Sequence, residues 1–227
     1  MVIGNGLLAT AFSNYKGDNS ILIFASGVSN SGNTNLSEFE REKSLLKSAL
    51  DLKLRLIYFS TISIYDPELQ DSAYILHKKE IELLIQNCST NYLIFRLPIL
   101  VGKTSNQHTL CNFIANQINA SNPINIFVNA CRYLIDIDDL KHVLPAFINN
   151  EFYRNLAIDV NFNNQTSMET LVTIFERQLN KKATKNFVSR GGCYKTNNTL
   201  FLSEASKYFD INDSNYIEKC ISKYYKL

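Results

Sequence analysis

Short apolar runs recur along the first hundred residues, separated by amphipathic stretches. The runs at 21–27, 55–63 and 92–100 are apolar at nearly every position, which is typical of strands covered on both faces of a parallel sheet. A very short run at 1–3 leads directly into a glycine turn and a helix predicted to end near Tyr15. The first half therefore begins as strand, turn and helix, and strands then follow at regular intervals.

Two amphipathic stretches between these runs predict longer helices. Ser37 and Glu40 form an S-x-x-E capping box before a stretch whose leucines and alanine fall on one side, and 72–86 carries a second helical pattern. The resulting β-α-β-α-β order predicts an α/β fold with a parallel sheet.

The second half shows the same kinds of element in a looser order. We predict helices near 107–119, after a capping box at Thr166 and Glu169, and from about Asn215, with a mixed segment at 132–144. Strands are predicted at the runs INIFV (124–128), NLAIDV (155–160) and KNFVS (185–189). No repeat or Pro/Gly/Ser linker separates the halves. We therefore expect a core at 1–103, to which later segments return, and a lobe at 104–227 packed on it.

Composition and charge exclude several classes of protein. The chain has 227 residues, 45% of them apolar, and 23 basic against 21 acidic side chains give a net charge of +2. This balance predicts no nucleic-acid or anionic-membrane surface. No apolar stretch approaches the roughly 20 residues that span a bilayer. The N-terminus lacks a signal-peptide pattern, so a cytoplasmic protein is expected.

The cysteines give no sign of a disulfide framework or a metal site. There are five, an odd number, widely spread and without a CxxC pair: Cys88, Cys111, Cys131, Cys193 and Cys220. We predict that all five are reduced and partly buried, and that no metal is bound.

The turn GNGLLA (4–9) fits the pattern G-x-G-x-x-A between a strand and a helix. Glycine allows a tight turn and a close approach of a pyrophosphate to the free N–H groups of the helix. The motif alone leaves open a tight turn without a ligand.

A second candidate cluster follows the strand at 55–63. STISIY (60–65) places Thr61 and Ser63 at the carboxyl end of the strand, where ligands bind in such sheets, although Ser and Thr also end strands by bonding to the backbone. On the next predicted helix, Tyr74 and Lys78 stand four residues apart and share one face. Ile75, Leu83 and Leu84 would cover the sheet.

These side chains suit proton transfer. A free tyrosine has a pKa of about 10, and a nearby cation favours its phenolate. Lys78 would supply the cation, Thr61 would bond to the substrate oxygen, and Tyr74 would act as general acid or base. The alternative is that Tyr74 and Lys78 lie on a solvated helix surface.

The order of these motifs resembles the extended short-chain dehydrogenase/reductase family, in particular its nucleotide-sugar epimerases, dehydratases and reductases. GNGLLA is similar to the family's cofactor turn, FASG (24–27) to its Ala/Gly segment, and STISIY with YILHK (74–78) to its catalytic strand and Y-x-x-x-K helix. The resemblance continues at RLPILVG (96–102), RYLIDIDDL (132–140) and LFLSEASKYFDI (200–211).

This resemblance implies a Rossmann-like, doubly wound sheet with a C-terminal substrate lobe, and it assigns roles to residues. Thr61, Tyr74 and Lys78 would be catalytic, and Arg132 would approach the diphosphate of a nucleotide sugar. NAD or NADP would be held by Gly4, Asn5, Gly6, Leu7, Leu8, Ala25, Ser26, Gly27 and Pro98. Alternatively, Arg132 is a surface residue paired with Asp136 or Asp138. Asp139 is expected to cap or orient the following helix. Relatives of this kind also suggest a homodimer.

The chain departs from the family pattern in two places. Only residues 7–20 separate Gly6 from the strand at Ile21, so the second and third βα units are missing, and with them the residue that selects NAD or NADP. The segment between Thr61 and Tyr74 is also shorter than usual.

Two functional hypotheses follow. The first is an NAD(P)-dependent reductase or epimerase that acts on a nucleotide-activated keto-sugar in surface-polysaccharide biosynthesis. A dehydratase is disfavoured because Ile62 and Ser63 stand where that subgroup carries an acidic pair. The second is a non-catalytic binding or scaffolding protein that kept the fold and lost part of the cofactor site.

Overall fold

A five-stranded parallel sheet forms the centre of the molecule. The computed structural model describes residues 1–226. The strands of the sheet are β1 (Val2–Ile3), β2 (Ile21–Phe24), β3 (Arg55–Thr61), β4 (Tyr92–Leu97) and β9 (Leu156–Asp159). They lie in the order β1-β2-β3-β4-β9 across the sheet. The predicted α/β fold with a parallel sheet is confirmed.

Helices cover both faces of this sheet. On one face lie α1 (Leu7–Ala11) and α5 (Ile137–Ile148), which pack against each other; on the other lie α2 (Leu36–Leu50) and α3 (Ala73–Cys88). Side chains of successive strand residues pack on opposite faces of the sheet. Ile57 packs in the core under α5, whereas Tyr58 packs in the core under α2 and α3. Because both faces are buried, the strands are apolar along most of their length. Their polar residues lie at or next to the strand ends: Arg55, Ser60, Thr61, Arg96 and Asp159.

The predicted truncation is also confirmed. β1 lies at the edge of the sheet and pairs with β2 alone, in the register Val2↔Ile23. The connections from β1 to β2 and from β2 to β3 move in the same direction across the sheet, but α1 and α2 lie on opposite faces of it. The two connections therefore have opposite hands. Because crossovers between parallel strands are almost always right-handed, one of the two has the rare left-handed form. The order contains no reversal, which is where such folds normally open a ligand crevice.

The second half adds a smaller core and returns to the sheet. Pro98 ends β4, because proline has no N–H to donate, and β5 (Ile99–Val101) pairs instead with β8 (Leu134–Asp136). The remaining elements are α4 (Leu110–Ala120), β6 (Pro123–Phe127), β7 (Cys131–Arg132), β10 (Thr166–Ser167), α6 (Met168–Gln178), β11 (Thr184–Val188), α7 (Thr199–Ala205) and α8 (Tyr216–Tyr224). Side chains from α4, β6, α6 and α8 form the second core.

Several local predictions were wrong by a few residues. The side chain that caps α2 is Asn35, not Ser37, and α6 is capped by Ser167, not by Thr166. α1 ends at Ala11, and a separate 3₁₀ turn occupies Ser13–Tyr15. Each cap is the residue whose side-chain oxygen reaches an unpaired N–H of the first helical turn, and more than one polar residue nearby fits that pattern.

Two further assignments require correction. Leu83 does not cover the sheet but is exposed, and Ile81 and Ile85 take that place. Asp139 does not cap α5: Asp136 does, accepting a hydrogen bond from the N–H of Asp138. The Asp139 carboxylate instead accepts a hydrogen bond from the Tyr216 hydroxyl at 2.5 Å. Among residues 1–226, no helix is both long and apolar enough to cross a membrane.

The prediction that all cysteines are reduced was wrong for two of them. Cys131 on β7 and Cys193 are joined by a disulfide, with 4.8 Å between their Cα atoms, whereas Cys88, Cys111 and Cys220 are free. The partners are 62 positions apart in sequence. Only the folding of the chain between β11 and α7 against β7 brings them together, so their spacing carried no sign of the bond.

Candidate functional site

Strand β3 and helix α3 bring Thr61, Tyr74 and Lys78 together. Thr61 is the last residue of β3, and its hydroxyl accepts a hydrogen bond from the N–H of Ser63 in the 3₁₀ turn that follows. Ser72 caps α3 by accepting from the N–H of Ile75, which starts the helix so that Tyr74 and Lys78 lie one turn apart. The exposed fractions of Tyr74 and Lys78 are 7% and 2%. The alternative in which they lie on a solvated surface therefore does not hold.

The surroundings of Tyr74 keep its proton on the hydroxyl. Burial raises its pKa well above the usual value, and the negative charge of Glu42 raises it further, while a hydrogen bond with Thr61 opposes both. The Lys78 ammonium lies 5.8 Å from the centre of the tyrosine ring. At neutral pH Tyr74 is thus a hydrogen-bond donor.

A residue that the sequence analysis did not select, Glu42 on α2, lies at the centre of this site. Its side chain is completely buried. The carboxylate accepts hydrogen bonds from the Tyr58 hydroxyl at 2.6 Å and the Val28 N–H at 2.7 Å, and it lies 3.0 Å from Nε2 of His77. Burial opposes the charge of Glu42, but Lys78 and these hydrogen bonds outweigh it and lower the pKa of Glu42 to about 2.

The sequence did contain a sign of Glu42. It falls on the same helical face as Phe39, Leu46 and Ala49, all buried. A charged residue within the apolar face of a helix is expected to meet a buried partner of opposite charge.

Lys78 is that partner, and Glu42 and Tyr58 accept its hydrogen bonds. Its Nζ donates to both carboxylate oxygens of Glu42, at 3.0 and 3.3 Å, and to the Tyr58 hydroxyl at 2.9 Å. An ammonium has three N–H donors. Burial lowers the pKa of Lys78, and the Glu42 carboxylate opposes that effect. These three contacts direct the charge of Lys78 toward Glu42.

Three glycines predicted to contact the cofactor, Gly4, Gly6 and Gly27, have different surroundings. Gly4 has φ +126°, and a Cβ there would lie 2.3 Å from the carbonyl oxygen of Ala25, so the turn packs tightly against the end of β2. A Cβ on Gly6 would meet no atom within 4 Å. A Cβ on Gly27 would lie 2.9 Å from Nζ of Lys78. The turn therefore adjoins the end of β2, and Gly27 adjoins the buried lysine.

The other predicted cofactor residues occupy different environments. Asn5 is exposed, whereas Leu7 and Leu8 pack partly buried against the main core. The Ser26 hydroxyl accepts a hydrogen bond from Arg41 at 3.1 Å. Pro98 lies between β4 and β5, half-buried.

Arg132 reaches the same sheet edge but has a different partner from those expected. Its guanidinium lies 3.4 Å from the carboxylate of Asp66 and donates to the carbonyl of Cys131 at 2.7 Å. Asp66 immediately follows the 3₁₀ turn after Thr61. The alternative in which Arg132 pairs with Asp136 or Asp138 is wrong in its partners, since both of those carboxylates bind Lys223.

A second network of hydrogen bonds, largely buried, lies next to the site. The Ser60 hydroxyl and the Arg96 guanidinium both donate to Glu82 of α3, at 2.6 Å each. Arg96 also donates to the Tyr65 hydroxyl at 2.7 Å. This network ties β3, α3 and β4 together just below Thr61.

The described clefts lie elsewhere on the molecule. A cavity of about 480 Å³ lies between the loop after β9, α6 and the start of α8, and one of about 470 Å³ lies at Asn149–Arg154. Neither is lined by Thr61, Tyr74 or Lys78. The titratable groups of the candidate site gather instead at the carboxyl end of β3.

Comparisons with known proteins show similarity in structure but not in sequence. No family model and no curated protein sequence matches the chain. A dTDP-glucose 4,6-dehydratase from Bacillus anthracis in complex with NAD superposes with a TM-score of 0.66 at 11% identity, over 97% of this chain and 79% of the other.

Two further solved structures are similar in the same way. An ADP-L-glycero-D-manno-heptose-6-epimerase from Helicobacter pylori has a TM-score of 0.68 at 14% identity, over 97% of this chain and 78% of that one. A dTDP-4-dehydrorhamnose reductase from Bacillus anthracis in complex with NADP has a TM-score of 0.64 at 14% identity, over 96% and 84%. The chain therefore has the Rossmann-like fold of these dehydratases, epimerases and reductases, in a truncated form.

Proposed function

We propose that the chain is an NAD(P)-dependent enzyme of the extended short-chain dehydrogenase/reductase family, acting as a reductase or epimerase on a nucleotide-activated keto-sugar. The main observation behind this proposal is that Thr61, Tyr74 and Lys78 are buried close together at the carboxyl end of β3. Parallel α/β sheets bind their ligands at that end. The solved structures with the same fold include nucleotide-sugar enzymes.

The residues present fit the pyrophosphate and the nicotinamide half of a dinucleotide. Residues 4–6 are exposed, and a Cβ on Gly6 would meet no atom within 4 Å, so the turn is accessible to a pyrophosphate. Ala25, Ser26, Gly27 and Pro98 would line the nicotinamide side. On the adenosine side, β1 is the edge strand of the sheet among residues 1–226. The adenosine half of the cofactor would therefore contact the glycine turn alone. A bound nicotinamide would supply or accept the hydride.

The chain's own residues would handle the proton. Tyr74 holds a proton on its hydroxyl at neutral pH and would donate it to a carbonyl oxygen. The Thr61 hydroxyl would bond to that same oxygen. Lys78, close beneath the ring, would stabilise the phenolate that remains. Arg132 at the same edge would bind the diphosphate of the substrate.

Cofactor binding and one substitution test the proposal. Titration with NADH and NADPH, followed by fluorescence and calorimetry up to millimolar concentration, should show saturable binding of at least one of them. Tyr74→Phe should lower turnover of a keto-sugar nucleotide by at least 10²-fold while leaving cofactor affinity within about twofold. Absence of binding for both cofactors would refute the proposal, and loss of folding in Tyr74→Phe would identify a structural tyrosine.

A second function, a non-catalytic binding or scaffolding protein, is favoured by one observation. All three N–H donors of Lys78 are engaged by Glu42 and Tyr58, and Tyr74 packs among the apolar side chains of Val28, Ile64 and Ile75. A buried, satisfied cluster of this kind also stabilises a fold without doing chemistry. The cofactor titration separates the two functions.

Two finer points belong to the same proposal. A role in surface-polysaccharide biosynthesis is supported only by the kinds of sugar nucleotide named for the similar structures. A homodimer is implied by the family resemblance and stays a prediction.

A further inference from the structure

The site contains a buried carboxylate that none of the predicted roles uses. Glu42 on α2 is fully buried, and Lys78 on α3 is 2% exposed. An ammonium alone at such a depth loses its proton, since buried lysines have pKa values that fall by several units. The proposed chemistry requires a protonated Lys78, so some neighbouring group must keep the proton on this buried side chain.

We propose that Glu42 is a fourth member of the site, a positioning residue that holds the Lys78 ammonium charged and fixed beside Tyr74. The catalytic role of Glu42 rests on the proposed function, whereas the pairing of Glu42 with Lys78 does not depend on that function. Its geometric basis is the pair of contacts from Nζ of Lys78 to the two carboxylate oxygens, at 3.0 and 3.3 Å.

Glu42 is itself held by groups from three other elements. The N–H of Val28, after β2, the Tyr58 hydroxyl of β3 and Nε2 of His77 on α3 all lie within 3.0 Å of its oxygens. With Lys78, these partners occupy both oxygens of the carboxylate. An ionised carboxylate with this many partners has a fixed orientation and transmits that orientation to the ammonium it binds.

The other groups around Lys78 do not replace Glu42. The charged and titratable groups that face it are Arg41 and Glu42 on α2, Tyr58 on β3, and Tyr74, His77 and Glu82 on α3. Glu82 is engaged by Arg96 through both of its oxygens, and the positive charge of Arg41 disfavours the ammonium. Among residues 1–226, Glu42 supplies the only carboxylate in direct contact with Nζ of Lys78.

The first test uses the pH dependence of folding, which does not require activity. In Glu42→Gln, Lys78 should be neutral when folded and protonated when unfolded, so the unfolded state binds one more proton and stability rises with pH. Relative to the native chain, the unfolding equilibrium constant of Glu42→Gln should increase by up to tenfold for each unit that the pH is lowered from 9.5 to 7.5. Urea unfolding at several pH values measures it, over a range that lies above the usual pKa of a histidine.

Two variants serve as controls. Glu42→Gln/Lys78→Met removes the lysine and should lose the extra pH dependence. Glu82→Gln also removes a buried carboxylate, but its partner Arg96 stays protonated at any of these pH values, so this variant should be less stable without the extra pH dependence. A Glu42→Gln chain with the native pH dependence would overturn the inference, because Lys78 would then keep its proton unaided.

If Glu42→Gln does not fold, the double variant decides. Folding of Glu42→Gln/Lys78→Met would show that the unpaired lysine caused the failure and would support the inference, whereas failure of both would mean that Glu42 serves packing and would overturn it. In the active enzyme, Glu42→Gln should lower turnover at least tenfold, and Glu42→Asp should restore part of it. If NADH and NADPH do not bind but the extra pH dependence is present, the proposed function fails and this inference stands.

Discussion

Lys78 shows how burial and one partner decide what a side chain can do. On a solvated helix its ammonium would interact weakly with Tyr74, because water screens both groups. In the fold it is enclosed between α2, β3 and α3, with a carboxylate oxygen of Glu42 3.0 Å from its Nζ. Burial and the negative charge of Glu42 together raise the pKa of Tyr74 and keep its proton in place.

Gly27 provides a test of how tightly this pair is packed. We expect Gly27→Ala to lower the free energy of unfolding by about 1–3 kcal/mol, the range for overpacking a dense interior. A Cβ there would lie 2.9 Å from Nζ of Lys78 and 3.0 Å from Oε1 of Glu42, and neither group can retreat without breaking a buried hydrogen bond. Urea unfolding at neutral pH measures the change.

Gly17→Ala is the matched control for Gly27→Ala. A Cβ on Gly17 would meet no atom within 4 Å, so we expect a change within about 0.5 kcal/mol. Equal effects at the two glycines would show that the space around Gly27 is not limiting.

At the scale of elements, the segment 189–198 between β11 and α7 lies over the edge of the sheet near the site. A Cβ on Gly192 would lie 2.7 Å from Pro67, and the Tyr133 hydroxyl donates to the carbonyl of Tyr194 at 3.2 Å. The Cys131–Cys193 disulfide fastens the segment to β7, next to Arg132. The segment is irregular, and its position depends on such contacts.

The disulfide predicts a countable difference in thiols. Unfolded under non-reducing conditions, the oxidised chain should react with a thiol reagent at three cysteines, and after reduction at five. Cys193→Ser should lower the free energy of unfolding by about 2–4 kcal/mol, because the bond restricts the unfolded chain. Cys88→Ser, which changes an exposed free thiol, should have little effect. Five reactive thiols without reductant would contradict the bond.

At the scale of the whole molecule, α8 joins the two cores. Ile217 and Ile221 belong to the second core, while Tyr216 and Tyr224 contact both. Lys223 donates to Asp136 at 2.7 Å and to Asp138 at 2.8 Å at the start of α5. The last helix is therefore attached to α5, which packs on the central sheet, by charge as well as by apolar packing.

This attachment should depend on pH. Lys223→Met is expected to lower the free energy of unfolding at pH 7 by about 1 kcal/mol, a modest value because Asp138 is partly exposed. The hydrogen bond from Lys223 lowers the pKa of Asp138 to about 2, although burial opposes the shift. A carboxylate with a lowered folded pKa stabilises above its unfolded value near 3.9 and loses that contribution below it. The difference between the two chains should thus shrink between about pH 4 and pH 2.

Lys16→Met is the control for the Lys223 variant. Lys16 is exposed and makes no ion pair within the part of the chain that the structure describes. Its replacement should change the free energy of unfolding by less than about 0.5 kcal/mol at either pH. A Lys223→Met chain as stable as the native one at pH 7 would show that apolar packing alone holds α8.

The sequence by itself determined the kinds of element, the parallel sheet and the missing βα units. Continuous apolar runs and helical periodicity depend on neighbouring residues only, and the 14 residues at 7–20 have no room for two more βα units. The spacing of Tyr74 and Lys78 on one helix face was equally a local property.

Contacts between distant residues were decided only by the tertiary structure. Glu42 and Lys78 are 36 positions apart and Cys131 and Cys193 are 62 apart, so no local pattern specifies either pair. The pairing of Arg132 with Asp66 and the caps at Asn35 and Asp136 were likewise chosen among several polar residues by geometry. Burial decides the charge of each group at the site, and burial is a property of the packed chain and not of its sequence neighbours.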